Sequence, residues 1–210
     1  MRPDLIAQEP PILLDRLRAV RQDHPVDFFR GFLDRPKEVG SVIPSSRFLE
    51  RRVVRAADLA EARVVVELGP GTGGSTRALL KAMPKAATLL AIEINPDFAR
   101  LLREKNRDPR LVVHEGSAEQ IREALAAHGL LGADVIVSGI PFSTMPPLLG
   151  RGIIEEVHAA LSPGGRFVAY QVRDKVHELG VPVFGRARVQ TELRNVPPMR
   201  VYRWERRAQL

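Results

Sequence analysis

Apolar and polar positions alternate along most of the chain in a pattern that predicts strands followed by helices. Five short apolar runs have the length of buried parallel strands: residues 63–68, 88–93, 111–115, 133–138 and 166–172. Four segments between them carry apolar residues at helical spacing: 75–83, 96–106, 118–128 and 147–161, the last ended by Ser162-Pro163-Gly164-Gly165. This order predicts a doubly wound α/β sheet.

Both ends of the chain depart from this pattern. Segments 187–193 and 200–206 predict two further strands, and their short connection, 195–198, leaves no room for a helix, so we expect an antiparallel pair that closes the sheet. Upstream, residues 11–24 predict an amphipathic helix, and residues 46–60 predict a second helix with Ser45 as N-cap. We divide the chain into a helical extension, 1–60, and a domain, 61–210, within a single structural unit.

The composition excludes several kinds of protein. The chain has 210 residues, of which 44% are hydrophobic, enough for one domain with a substantial core. It has no Cys, which excludes a disulfide framework and a Cys-ligated zinc site, and its five His are scattered, so we expect no metal. No apolar run approaches the roughly 20 residues of a membrane span. We expect a cytoplasmic, unprocessed protein.

Positive charge is concentrated near the C-terminus. The net charge is +7, and residues 166–210 carry 10 basic groups against 4 acidic groups. Such an excess suits an anionic partner, either an anionic membrane or the phosphates of a nucleic acid. A surface that is simply solvated by arginine is the alternative explanation.

The most informative segment lies at the first predicted strand-to-helix turn, where residues 64–76 read VVVELGPGTGGST. Its glycines allow a tight turn that a ligand can approach closely, and its hydroxyls lie beside a helix N-terminus. The glycines are Gly69, Gly71 and Gly73, and the hydroxyls belong to Thr72, Ser75 and Thr76. Gly69, Gly71 and Gly74 also satisfy the G-x-G-x-x-G pattern of nicotinamide dinucleotide sites.

The phrase as a whole resembles motif I of class I S-adenosylmethionine (SAM) methyltransferases. Glu67 stands two residues before the first glycine, G-P-G-T-G follows, and Glu93 closes the second strand. The resemblance implies SAM as cofactor and S-adenosylhomocysteine as product. It implies that Glu67 organises the SAM amino group, that the glycine loop passes under the methionine part, and that Glu93 holds both ribose hydroxyls.

The same resemblance extends the predicted cofactor site and the fold. After the third strand the family commonly reads G-D-A, whose Asp contacts adenine; here Ser117 stands in that place, and its hydroxyl accepts the same bond more weakly. The expected fold is a seven-stranded Rossmann-like sheet with an antiparallel last strand and N-terminal helices. The predicted cofactor residues are Glu67, Gly69, Pro70, Gly71, Thr72, Gly73, Ser75, Thr76, Glu93, Ile94, Gly116, Ser117, Ala118, Ser138 and Gly139.

Three further phrases narrow the resemblance. They are DFFRGFLDRPKEVGSVIPSSRFL at 27–49, SGIPF at 138–142 and NVPPMRVY at 195–202. Together they look like the bacterial phospholipid N-methyltransferases of the Sinorhizobium type, some of whose relatives act on ornithine lipids. The resemblance implies stepwise methylation of phosphatidylethanolamine to phosphatidylcholine by a protein bound peripherally to the inner face of the plasma membrane, with anionic phospholipid as its partner.

The acceptor site rests on fewer residues. Methylation of an amine needs the nitrogen aligned with the sulfonium methyl group and the loss of a proton, and no side chain stands out as the proton acceptor. Aromatic faces hold cationic amines, and Phe142 and Tyr170 are placed near the ligand edge of the sheet. With Pro141, Phe29 and Ser46 they are the candidate substrate residues, and the catalytic residue stays unassigned.

Two other functions are alternatives. Adenine amino methyltransferases carry a [NDS]-[LP]-P-[YFW] turn after the fourth strand, whose first side chain accepts from the amino group. Residues 139–142, GIPF, copy this turn except at Gly139, which has no side-chain acceptor, and no separate helical domain for RNA is visible. Methylation of a small amine or another aminolipid is the second alternative. His114, in the third strand, is expected to be a core histidine rather than a base.

Overall fold

Seven strands form one sheet in the computed structural model, which describes residues 46–207. The strands are β1 (Val64–Leu68), β2 (Thr88–Glu93), β3 (Leu111–Glu115), β4 (Ala133–Ser138), β5 (Leu161–Gln171), β6 (Arg188–Glu192) and β7 (Met199–Glu205). The helices among the described residues are α1 (Arg47–Ala57), α2 (Gly74–Ala82), α3 (Pro96–Lys105), α4 (Ile121–Ala127), α5 (Pro147–Ala160) and α6 (Lys175–Phe184). Two 3₁₀ turns, Ala118–Gln120 and Phe142–Thr144, precede α4 and α5.

The strand order is β3-β2-β1-β4-β5-β7-β6. Strands β1 to β5 are parallel to one another, whereas β7 is antiparallel to both β5 and β6. The carboxyl ends of the five parallel strands therefore meet at one edge, which we call the carboxyl edge. Gln171 pairs with Arg200 and Glu192 pairs with Met199, so the turn between β6 and β7 lies at the same edge. The predicted doubly wound sheet with an antiparallel closing pair is confirmed.

Helices cover both faces of the sheet, because parallel strands need burial on both sides. In β1, Val65 packs in one cluster with α1 and α2, and Val66 packs in the opposite cluster with α4 and α5, since successive side chains of a strand point to opposite faces. Leu49, Val53 and Ala57 form the buried face of α1. A fully buried Val or Leu contributes about 1.5–3 kcal/mol. The described part of the predicted extension thus packs on the sheet.

The first described helix and the fifth strand begin at other residues than predicted. The prediction that Ser45 is the N-cap of this helix is wrong. Ser46 caps α1, and its side chain accepts a hydrogen bond from Leu49 N at 3.2 Å. β5 begins at Leu161, five residues earlier than predicted, and a register shift against β4 accommodates the Pro-Gly-Gly segment that was expected only to stop α5. Segment 118–128 starts as a 3₁₀ turn, and α4 begins only at Ile121.

The hydrophobic pattern does not predict α6. Gly180 and Pro182 lie inside this helix, and both residue types lower helix propensity. The helix packs closely on β7: a Cβ atom added to Gly180 would lie 2.8 Å from Trp204 Cζ2. Trp204 is 2% exposed, and its indole N–H donates to Gly185 O at 3.0 Å. Tertiary packing therefore outweighs local propensity in α6.

Part of the predicted extension lies outside the described residues. This applies to the helix over 11–24 and to Phe29, and the division of the chain at residue 60 stays a prediction. Across residues 46–207, no helix has the length and apolar character needed to cross a bilayer. The same residues contain no group of three or more His, Asp or Glu side chains placed to hold a metal ion.

Asn195 joins the β6–β7 turn to α1, and its loss should weaken the fold. It is 1% exposed, its Oδ1 accepts from Ser46 N at 3.0 Å, and its Nδ2 donates to Pro197 O at 3.0 Å. Asn195→Ala removes both bonds, and we expect the free energy of unfolding in urea to fall by about 1–3 kcal/mol. Thr191→Ala, an exposed change on β6, should shift it by less than about 0.5 kcal/mol. Equal stabilities for the two variants would contradict the anchoring role.

Candidate active site

The glycine loop, residues 69–73, connects β1 to α2 at the carboxyl edge. Gly69, Gly71 and Gly73 have φ angles of 68°, 55° and 82°, in the left-handed region that side chains rarely adopt. Gly73 is the N-cap of α2, and a Cβ atom there would lie 2.7 Å from Leu102 Cδ1. Gly69 N donates to Ile92 O at 3.0 Å, which fastens the loop to β2. The loop can therefore bring its backbone close to a ligand.

Glu93 closes β2 and is 3% exposed. Its Oε2 accepts from Gly71 N at 3.0 Å, and its Oε1 accepts from Asn95 N at 3.0 Å. Burial raises the pKa of Glu93, and the backbone N–H groups of its neighbours lower that pKa again. Each carboxylate oxygen accepts one of these two bonds, so lone pairs are left for further donors, such as the two hydroxyls of a ribose.

Glu67, near the end of β1, is 1% exposed and receives a hydroxyl on each oxygen. Ser75 Oγ donates to Oε1 at 2.5 Å, and Thr76 Oγ1 donates to Oε2 at 2.7 Å. Burial raises the pKa of Glu67 to about 7, the two hydroxyls oppose this shift, and the charge of Glu93 adds to it. The sequence predicts that both hydroxyls face the cofactor; in the structure they face Glu67, because a buried carboxylate without donors is costly.

The end of β3 lies next to Glu93. Gly116 N donates to Glu93 O at 3.0 Å. Ser117 caps the following 3₁₀ turn, in which its Oγ accepts from Glu119 N at 3.2 Å. Ala118 is the first residue of that turn. The hydroxyl of Ser117 thus has a local partner, and its contact with adenine stays a prediction.

His114 is half-buried rather than part of the core, which corrects the expectation from the sequence. Its Nδ1 lies 3.3 Å from His128 Nε2. Burial lowers the pKa of His114, and the neighbouring His128 and Arg103 lower it further. The reason for the partial exposure is topological, because β3 is at the edge of the sheet and lacks a neighbour on one side.

The turn after β4 closes the carboxyl edge beside the glycine loop. Gly139 N donates to Leu68 O at 3.0 Å, and Ser138 Oγ accepts from Ile140 N at 3.3 Å. Gln171 Nε2 donates to Ile140 O at 2.5 Å. These bonds fix the backbone of the turn relative to both β1 and β5.

Phe142 does not present its ring at the open edge. It is 1% exposed and packs in the core cluster that includes α5, because the 3₁₀ turn Phe142–Thr144 directs the ring inward. Pro141 is half-buried just before it. The sequence expects an aromatic face toward the acceptor here, and for both residues that role stays a prediction. Ser46, a further candidate, caps α1 and donates its backbone N–H to Asn195.

Tyr170, on β5, brings its hydroxyl to the backbone of Gly139. A Cβ atom added to Gly139 would lie 2.4 Å from the Tyr170 hydroxyl oxygen and 3.4 Å from Gly69 O. The phenol thus fills the space in which a side chain at position 139 would stand, directly beside the glycine loop. The Tyr170 hydroxyl also donates to Ser75 Oγ at 3.4 Å.

The arrangement fits SAM. A loop of backbone N–H groups at the start of a helix, with a buried carboxylate at the end of the neighbouring strand, matches what a ribose and an amino-acid moiety require. Glu93 has acceptor capacity for the ribose hydroxyls, and the glycine loop offers close backbone approach. When bound, SAM supplies an electrophilic methyl group on a sulfonium sulfur.

Most predicted cofactor residues come together at the carboxyl edge, on the glycine loop and the ends of β1 to β4. Their contacts with SAM stay predictions. The sequence analysis missed two residues that make structural contacts at this edge. They are Gln171, for which the sequence carries no signal, and Asn95. Asn95 caps α3 by accepting from Asp97 N and Phe98 N, and the Asn-Pro pair before a helix was the signal for it.

Known proteins are similar to this chain in sequence and in fold. Residues 65–165 match the family model for a methyltransferase domain. The chain is 35% identical over 178 residues to the ornithine lipid N-methyltransferase of Singulisphaera acidiphila, covering 83% of this chain and 92% of that protein. It is 30% identical over 127 residues to ribosomal RNA small subunit methyltransferase A of Chlorobaculum parvum, but spans only 43% of that protein.

Solved structures show the same fold at low sequence identity. The N-methyltransferase NodS from Bradyrhizobium japonicum has a TM-score of 0.62 and 15% identity, covering 80% of this chain and 99% of that chain. The O-methyltransferase TomG from Streptomyces achromogenes, solved in complex with SAM, has a TM-score of 0.64 and 15% identity, covering 93% and 96%.

The fold, the glycine loop and the matching methyltransferase domain define a SAM-dependent methyltransferase of class I. The chain belongs to the methyltransferase family that includes the S. acidiphila protein. Its cofactor is SAM, as the sequence predicts.

Glu93 should be required for SAM binding. We expect Glu93→Ala to abolish SAM binding in titration calorimetry, because it removes the predicted ribose acceptor and the bond that holds Gly71 N. Glu115→Ala is the matched control, since Glu115 pairs with Glu93 in the sheet register but is exposed. An unchanged affinity of Glu93→Ala, with Glu115→Ala behaving as wild type, would remove Glu93 from the cofactor site.

Glu67 should make stability depend on pH. Its pKa is raised from 4.5 to about 7 in the folded chain, so the folded state binds the proton more tightly than the unfolded state. The contribution of Glu67 to the free energy of unfolding is therefore present below about pH 4.5 and is lost as pH rises to about 7. Glu67→Gln cannot ionise, so wild type should lose stability relative to this variant between pH 5 and 8 in urea titrations. Parallel pH curves for the two proteins would be inconsistent with this shift.

Proposed function

We propose that this methyltransferase N-methylates the amine of a membrane aminolipid. The acceptor that the sequence resemblance favours is phosphatidylethanolamine, with its mono- and dimethyl forms, giving phosphatidylcholine at the inner face of the plasma membrane. Ornithine lipid is the second candidate acceptor, since the S. acidiphila relative is an ornithine lipid N-methyltransferase. The observation that carries the proposal is the 35% identity over 92% of that lipid enzyme.

A surface next to the site supports a lipid acceptor. Leu193 and Val196, in the β6–β7 turn, are 73% and 86% exposed, and we call this pair the apolar tip. Asn195 lies between them, is buried and is bonded to the start of α1, so the turn is anchored while the tip points outward. The tip and the glycine loop share the carboxyl edge of the sheet. An acceptor held in a bilayer under the tip would face the same edge of the sheet as the methyl donor.

Basic and aromatic side chains flank the apolar tip. The Arg194 guanidinium lies 4.1 Å from the centroid of the Phe48 ring, and the Arg47 guanidinium lies 4.9 Å from the same centroid. The Arg194 side chain is 62% exposed, whereas its carboxylate partner Glu192 is only 2% exposed. Exposed apolar residues flanked by arginine suit the interface of an anionic bilayer, where each basic group near the surface contributes about 1 kcal/mol.

Methylation of ribosomal RNA is the rival function. It is favoured by the partial similarity to the C. parvum protein, of which this chain spans 43%. It is weakened by Gly139, where the adenine-type turn needs a side-chain acceptor and the Tyr170 phenol fills the space instead. The positive C-terminal segment suits either polyanion.

Methyl transfer to defined acceptors tests the proposal. Purified protein is incubated with methyl-labelled SAM and, separately, anionic vesicles with phosphatidylethanolamine, anionic vesicles with ornithine lipid, and unmodified ribosomal RNA. We expect label in the methylated forms of phosphatidylethanolamine. Label only in ornithine lipid would keep the aminolipid proposal and change the acceptor, and label only in RNA, or in none of the three, would overturn it.

The apolar tip should be needed for vesicle binding. We expect Leu193→Ser with Val196→Ser to lower binding to anionic vesicles at least five-fold in sedimentation, because it removes the apolar side chains that enter the interface. Leu131→Ser is the matched control, since Leu131 is fully exposed just before β4, at the opposite edge of the sheet. An equal loss for both variants, or no loss for either, would contradict the role of the tip.

A further inference from the structure

A hydrogen-bonded chain leads from the Tyr170 hydroxyl at the carboxyl edge to a buried carboxylate. Its outer end is the Tyr170 hydroxyl, which donates to Ser75 Oγ at 3.4 Å. Ser75 Oγ in turn donates to Glu67 Oε1 at 2.5 Å. The three residues come from β5, α2 and β1, so only the folded sheet brings them together. Each donor points toward the carboxylate, which is the direction in which a proton can pass inward.

The outer end of this chain lies between the glycine loop and the turn after β4. The Tyr170 hydroxyl lies 2.4 Å from where a Cβ atom of Gly139 would stand, and that same point is 3.4 Å from Gly69 O in the glycine loop. The phenol therefore reaches the junction between the cofactor loop and the turn after β4. Gly139 makes this possible, because any side chain there would displace the hydroxyl.

We propose that the Tyr170 hydroxyl receives the amine of the acceptor, and that the chain Tyr170–Ser75–Glu67 takes the proton that the amine must lose before it is methylated. This inference rests on the proposed function, since it concerns an amine acceptor. It makes Tyr170 a catalytic residue, and it makes Ser75 and Glu67 the groups that pass and hold the proton.

The proton transfer balances without a further reactant. An alkyl ammonium gives one proton to the Tyr170 oxygen, while the Tyr170 proton moves to Ser75 Oγ and the Ser75 proton moves to the Glu67 carboxylate. The freed nitrogen lone pair then forms the bond to the methyl carbon, and the carbon–sulfur bond breaks with its electrons on sulfur. After product leaves, the same chain carries the proton back to solvent. A general base works best with a pKa near the working pH, and burial raises the pKa of Glu67 to about 7.

Other titratable groups lie near this hydrogen-bonded chain, and the experiments must distinguish their titration from that of Glu67. Glu93 from β2 acts on Glu67 through its charge, but its hydrogen bonds run to Gly71 N and Asn95 N, whereas Ser75 bonds to Glu67. Glu50 from α1 lines the same crevice as Ser75 and Tyr170; burial raises its pKa, and Arg77 on α2 lowers it. Glu50→Gln therefore tests whether the proton goes to α1 rather than to β1.

A spectroscopic experiment tests the chain without cofactor or activity. The protein has two tyrosines, so ¹³Cζ-labelled tyrosine gives two signals, and Tyr170→Phe assigns them. We expect the Tyr170 signal to shift between pH 6 and 8 as Glu67 titrates, and to lose this shift in Ser75→Ala while keeping it in Glu50→Gln. Tyr202, whose hydroxyl donates to Asp174 Oδ1 at 3.0 Å, is the internal reference, and its signal should not shift as Glu67 titrates. A Tyr170 signal that is flat in wild type, or that titrates unchanged in Ser75→Ala, would overturn the chain.

Kinetics test the role in methylation. We expect Tyr170→Phe to lower kcat at least ten-fold with SAM affinity within two-fold of wild type by calorimetry, and Tyr202→Phe to leave kcat unchanged. In wild type, kcat should rise with pH through about 7, as Glu67 loses its proton. In Ser75→Ala this rise should be absent, whereas any pH dependence of kcat that comes from the acceptor amine should remain. If Tyr170→Phe keeps full kcat on an acceptor that wild type methylates, the proposed role of Tyr170 is overturned and the proposed function is kept. Failure of wild type to methylate any aminolipid would instead overturn the proposed function, and the tyrosine signals would still report on the chain.

Discussion

Two carboxylates are buried at the ends of adjacent strands, and their need for hydrogen-bond donors shapes the carboxyl edge of the sheet. Glu67 and Glu93 are 1% and 3% exposed. A buried carboxylate is tolerated only where donors replace water. Glu67 obtains two hydroxyls from the first turn of α2, and Glu93 obtains backbone N–H groups from the glycine loop and the start of α3. The loop must therefore bend through positive φ angles so that Gly71 N reaches Glu93.

The same constraint connects the glycine loop to Tyr170 on β5. Because Ser75 is committed to Glu67, its oxygen is held where the Tyr170 hydroxyl can donate to it. Tyr170 in turn requires glycine at position 139, and Gly139 is bonded back to Leu68 at the end of β1. A requirement at the end of β1 thus passes through α2, β5 and the turn after β4, and returns to the end of β1. The β6–β7 turn stands at the same edge because β7 runs antiparallel to β5.

Much of the fold was predictable from local pattern. β2, β3 and β4 occupy the residues that their apolar runs predict, since strands buried on both faces need continuous apolar segments. α6 was not predictable, because Gly180 and Pro182 lower helix propensity and the helix is stabilised by its packing on Trp204. The partial exposure of His114 follows from the position of β3 at the sheet edge, which the strand order decides.

The sequence by itself determined the class of the protein through a resemblance, because Glu67, the glycine loop and Glu93 at the end of the next strand match motif I of the SAM methyltransferases. It did not determine what those residues contact. The hydroxyls of Ser75 and Thr76 serve a buried carboxylate, Phe142 turns into the core, and the Tyr170 phenol fills the space over Gly139. Only the tertiary structure decided these contacts, since they join residues far apart in the chain and depend on which strands are neighbours and on where each side chain is buried.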